Sequence, residues 1–90
     1  MSDYPKFFRK AGRCIRVDSD TKTWTIILPP EMKVASRYFT EYPSAERLQE
    51  ELKYFEEVDA DTFRSFFFTF CQCVAGEREA VNQKIQQREQ

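Results

Sequence analysis

Histidine is missing altogether from this chain of 90 residues, and glycine occurs only twice, at Gly12 and Gly76. The first absence removes the commonest general base, the usual imidazole metal ligand and every histidine-based catalytic triad. The second excludes the glycine-rich turns that cradle phosphates in nucleotide-binding loops, because two isolated glycines cannot build one. Long apolar runs are lacking too, since charged residues interrupt each of them well before the roughly 20 residues that a membrane-crossing helix needs. Met1-Ser-Asp-Tyr-Pro5 opens on polar residues rather than on the apolar segment of an export signal. Together with an odd number of cysteines, Cys14, Cys71 and Cys73, this predicts a soluble cytoplasmic protein with reduced thiols.

Net charge is nearly absent at −1, yet it is unevenly spread. Residues 1–37 carry eight basic and four acidic side chains, whereas residues 38–90 carry six basic and eleven acidic ones. Such asymmetry marks either a polyanion-binding face or two halves that attract one another on folding.

What the chain does have is aromatic mass: nine Phe, four Tyr and one Trp. A domain this small buries only about 60% of its unfolded surface, and large aromatic side chains offset that weakness. Five of the phenylalanines fall within the eight residues from Phe63 to Phe70.

Three runs rich in β-branched and aromatic residues, Tyr4 to Arg9, Arg13 to Val17 and Thr23 to Leu28, predict an antiparallel meander over about 4–28. Lys10-Ala-Gly-Arg13 and Asp18-Ser-Asp-Thr-Lys22 supply its turns, Gly12 offering a positive φ and Asp18 and Asp20 bonds to their own backbone. Alternation assigns Ile15, Val17, Trp24, Ile26 and Leu28 to one apolar face and Cys14, Arg16, Thr23 and Thr25 to a polar one. Pro29 and Pro30 end the third strand, and residues 29–43 read as an irregular connection.

From Ser44, a good N-cap, the pattern turns helical over about 45–57, with Ala45, Leu48, Leu52 and Phe55 forming a narrow stripe. Arg47 with Glu51 and Glu50 with Lys53 are candidate surface pairs. Asp59 or Asp61 caps a second helix over about 61–85. Projected on a helical wheel, Phe66, Phe67, Phe70, Val74, Val81 and Ile85 fall within about 60° of Phe63. Phe68 lies about 140° away, with Cys71 and Ala75 beside it. The expected fold is therefore a single α+β domain over 1–90, an N-terminal three-stranded antiparallel meander packed against two C-terminal helices.

Chemistry is sparsely represented. Cys71 and Cys73 stand about 200° apart on a helix, so they cannot address one metal ion, and the carboxylates gather at helix ends and exposed faces. No metal site, cofactor, catalytic residue or small-molecule substrate is predicted. The expected function is a non-enzymatic protein-interaction module, with Phe68, Cys71 and Ala75 as candidate interface residues and a homodimer as one form of that interaction. The alternative is a nucleic-acid-binding accessory protein that uses Arg9, Lys10, Arg13, Arg16 and Lys22 on the meander.

Overall fold

Two residues, Ala11 and Gly12, separate β1 (Lys6–Lys10) from β2 (Arg13–Val17), and this short connection forces the strands into an antiparallel hairpin. In the computed structural model, which describes residues 3–89 and their side chains as far as Gly76, β3 (Lys22–Ile27) and β4 (Ser36–Glu41) continue the meander. Helix α1 (Ala45–Leu52) and a short β5 (Glu56–Val58) follow, and the long helix α2 (Ala60–Glu89) comes last. All pairings are antiparallel, in the order β4-β3-β2-β1-β5. The class is α+β, as expected, with the N-terminal meander packed against the helices that follow it.

Several local expectations are replaced. The positive φ of the first hairpin falls on Ala11, at 51°, and not on Gly12. Gly12 is needed for close approach instead: a Cβ there would lie 3.1 Å from the Leu28 carbonyl oxygen, while the Gly12 carbonyl accepts the Leu28 N–H at 2.8 Å. In the second turn Ser19 Oγ accepts the Thr21 and Lys22 N–H groups. Asp18 instead receives Arg16, and Asp20 receives the Tyr4 hydroxyl. Residues 36–41, read as irregular, form an edge strand. Helix α1 stops at Leu52 rather than at 57, because the Phe55 N–H turns back to the Leu52 carbonyl and Glu56–Val58 then pairs with β1. Its surface pair is Arg47 with Glu50, at 3.3 Å.

The largest correction concerns the faces of the sheet. Cys14 lies opposite Ile26 and Arg16 opposite Trp24, whereas Ile15 and Val17 lie opposite Thr25 and Thr23. Neighbouring strands share a face at each paired position, so Trp24 and Ile26 project on the side away from Ile15 and Val17. Both sides are covered. Leu48 and Leu52 of α1 bury Ile15 and Val17, with Tyr4, Phe8, Tyr42 and Phe55 around them. On the other side Phe63, Phe66 and Phe70 of α2 cover Cys14 and Ile26, beside Phe7, Leu28 and Val58. Thr23 and Thr25, expected on a solvated face, are buried, and the Thr23 hydroxyl donates to the Thr40 carbonyl at 3.3 Å. The molecule is a three-layer sandwich with β2 at its centre.

Charge asymmetry between the halves is partly absorbed across the strands. Glu41 stands opposite Lys22 and Glu56 opposite Arg9, so acidic residues from the second half of the chain meet basic ones from the first.

Candidate functional site

The site begins with one row of side chains running across the sheet on the α2 side. Register places Phe7 beside Arg16, Arg16 beside Trp24 and Trp24 beside Phe39, where the two rings stand 5.4 Å apart. α2 approaches this row at one end. Val58 of β5 pairs with Phe7, and Asp59 then caps the helix by accepting the Thr62 N–H at 2.9 Å and the Thr62 hydroxyl at 2.8 Å. Starting there, the helix sets Phe63 against Phe7, with ring centroids 5.4 Å apart.

From that anchor α2 crosses toward the opposite end of the strands, covering the row that contains Cys14 and Ile26. The Phe7–Arg16–Trp24 row stays beside the helix rather than beneath it. Between them lies a groove of about 680 Å³. Pro5, Phe7 and Arg16 form its sheet wall, and Phe63, Arg64, Phe67, Phe68 and Cys71 its helix wall, with Ala60 at the end. A smaller recess of about 210 Å³, bounded by Arg16, Trp24, Arg37, Phe63 and Phe67, continues the groove toward β4.

Three guanidinium groups hold the aromatic rings in place. Arg37 lies 5.5 Å from the Trp24 ring, 5.8 Å from Phe67 and 5.9 Å from Phe70. Arg16 sits 5.9 Å from the Phe63 ring, and Arg9 sits 5.5 Å from Phe66. Cations over ring faces are attracted by the ring quadrupole, so these contacts stiffen the groove while keeping its rim basic. Arg16 also meets Asp18 at 2.9 Å, and Arg64 meets Asp61 one turn back on α2. No carboxylate lines the groove. It can therefore bury an apolar segment and place an anionic group against arginine, but it holds no pair of groups for general acid–base chemistry.

Of the three expected interface residues, Phe68 and Cys71 line the groove, and Ala75 lies exposed beyond it. Phe68 is 63% exposed. Phe67, assigned to the core from its place on the wheel, is 39% exposed and belongs to the groove. The reason is the placement of the contact: the buried arc of α2 is centred between Phe66 and Phe70, and Phe67 sits about 80° to one side of that centre. An arc centred between Phe66 and Phe70 excludes Phe67, whereas narrowing one centred on Phe63 would drop Phe66 first. Phe7 and Arg64 are not among the expected interface residues, and Arg16 is expected only as an alternative nucleic-acid contact, because the groove exists only once β1, β2 and α2 meet. Val81 and Ile85, also expected on the core stripe, fall outside the residues whose side chains are described.

The basic residues of the meander are not brought together. Arg9, Arg16 and Lys22 project on the α2 side and Lys10 and Arg13 on the α1 side, as their paired positions require. Arg13 lies 3.9 Å from Glu31, and the Lys10 ammonium lies over the Tyr54 and Phe55 rings.

Cys14 is fully buried under α2, and burial pushes its thiol up to about 11, partly countered by Arg9. Cys71 is exposed and Cys73 half-buried, on different sides of the helix. Among the described residues no three Cys, Asp or Glu side chains form a group able to hold a metal ion, and no helix is long and apolar enough to cross a membrane. Compared with known proteins, the chain matches no family model, no curated protein and no solved structure.

Proposed function

We propose that this chain is a small protein-interaction module that takes a segment of a partner protein into the groove between α2 and the sheet, and catalyses no reaction. The observation that carries the reading is Phe68, a large apolar side chain left 63% exposed on the wall of an apolar groove. Exposed apolar surface of this kind marks binding sites in small proteins, and leaving a phenylalanine in water forgoes about 2 kcal/mol of transfer free energy. Arg16 and Arg64 on the rim are each paired with one carboxylate, Asp18 and Asp61, and keep further N–H donors that a carboxylate beside the segment's apolar anchors can share. Three free thiols support a reducing, cytoplasmic setting.

Selection of a random-peptide phage library on the immobilised full chain tests the reading. Enrichment of peptides combining aromatic or aliphatic residues with Asp or Glu is expected, with binding lost in Phe68→Ser and weakened in Arg64→Glu. No enrichment, together with a salt-sensitive shift of labelled RNA or DNA, would replace this function with nucleic-acid binding.

A further inference from the structure

β4 ends the sheet on one side, and its outer edge has no neighbouring strand among the described residues. The chain exposes large apolar side chains there: Met32 and Val34 just before the strand, and Tyr38 and Phe39 within it, are 41–53% exposed. It carries no proline, the residue that commonly blocks an edge.

Backbone parity limits what this edge can accept. The Tyr42 N–H donates to the Thr21 carbonyl at 2.8 Å, in line with the register that sets Lys22 opposite Glu41. Hydrogen-bonded and non-bonded pairs alternate along an antiparallel ladder, so Ser36, Tyr38 and Thr40 direct their N–H and C=O groups to β3. Arg37, Phe39 and Glu41 direct theirs outward. A strand added at this edge must oppose these three residues with outward-facing residues of its own.

A second β4, run antiparallel about a two-fold axis, meets that requirement. Centred on Phe39, it sets Arg37 opposite Glu41 twice and Phe39 opposite itself. A slip of two residues in one direction sets Arg37 opposite Phe39; in the other it sets Phe39 opposite Glu41. Either slip loses both charge pairs. Arg37, Phe39 and Glu41 all project on the side of Trp24, so the two Phe39 rings would meet between the two Trp24 rings. Opposite charges and aromatic pairs directly across strands are the stabilising units of a sheet, and a sequence self-complementary about its own centre is what an isologous interface needs.

We propose that two copies of this chain associate through β4 in the register centred on Phe39, joining their five-stranded sheets into one. The two α2 helices then share one face and the two α1 helices the other. This dimer does not use Phe68, although Arg37, one of its charge partners, also bounds the recess beside the groove.

Sedimentation equilibrium of the full chain is the test. The wild type is expected to dimerise, and Glu41→Arg and Arg37→Glu, each of which sets like charges opposite each other twice, are expected to weaken the dimer by about tenfold or more. Mixed in equal amounts, the two variants are expected to regain wild-type association, since every pair then joins Arg to Glu. Phe68→Ser is expected to leave the dimer unchanged. A wild type monomeric at about 0.2 mM, well above the micromolar range of standard interfaces, overturns the proposal. So do charge variants that dimerise as the wild type does, or a dimer lost in Phe68→Ser alone.

Discussion

At Ala11 the backbone sits at φ 51°, in the left-handed region where a Cβ crowds the following carbonyl oxygen. Ala11→Gly is expected to stabilise the fold by about 0.5–1 kcal/mol, read as a higher urea midpoint, because relief of that crowding exceeds the added freedom of the unfolded chain. Gly12→Ala is expected to destabilise it, since its Cβ would press on the Leu28 carbonyl. The tight turn was legible as Ala-Gly; which residue takes the strained φ was not, because Leu28 and Glu31 approach from elsewhere in the chain. Cys14 is a second case where the environment decides. Its thiol is raised from 9.0 to about 11 by burial, so the stabilisation it brings is complete below about pH 9 and lost as pH rises toward 11. A disulfide-exchange titration of the native protein at neutral pH is expected to count Cys71 and Cys73 and to reach Cys14 only after denaturation.

Elements were legible where local chemistry is strong. Ser44 accepts the Arg47 N–H at the start of α1, and Asp59 does the same for Thr62 at the start of α2, as N-cap preferences predict. Asp59 is held below the usual carboxylate range by the backbone N–H and the hydroxyl of Thr62. A lowered folded-state value means stabilisation that is present above the unfolded value near pH 4 and lost as pH falls through the folded one. The gap in melting temperature between wild type and Asp59→Ala is therefore expected to be full near pH 6 and to shrink below about pH 4. The two elements that escaped detection are both edge strands. β5 has three residues, two of them glutamates, and β4 mixes exposed charges and aromatics; each becomes a strand only because a neighbour offers its ladder.

For the whole molecule, the three layers make one cooperative unit. Leu48 and Phe63 lie on opposite sides of the sheet yet both pack on β2, through Ile15 and Val17 in one case and Cys14 in the other. Leu48→Ala and Phe63→Ala are each expected to cost about 2–5 kcal/mol, and each to shift a single calorimetric transition rather than split it. Two separate transitions would mean that α1 and α2 cover independent units. The sequence by itself determined the class, the order of the meander, both helix starts and the excess of phenylalanine on α2, because propensity, capping and periodicity act over a few residues. Only the tertiary structure decided which face each strand residue occupies. A turn one residue longer or shorter would exchange the two faces of a strand, and the turn from Val17 to Thr23 sets Ile15 against Thr25 and Cys14 against Ile26. The groove follows from that same parity, since it puts Phe7, Arg16 and Trp24 on the side where α2 docks and leaves Phe67 and Phe68 beside them rather than under cover.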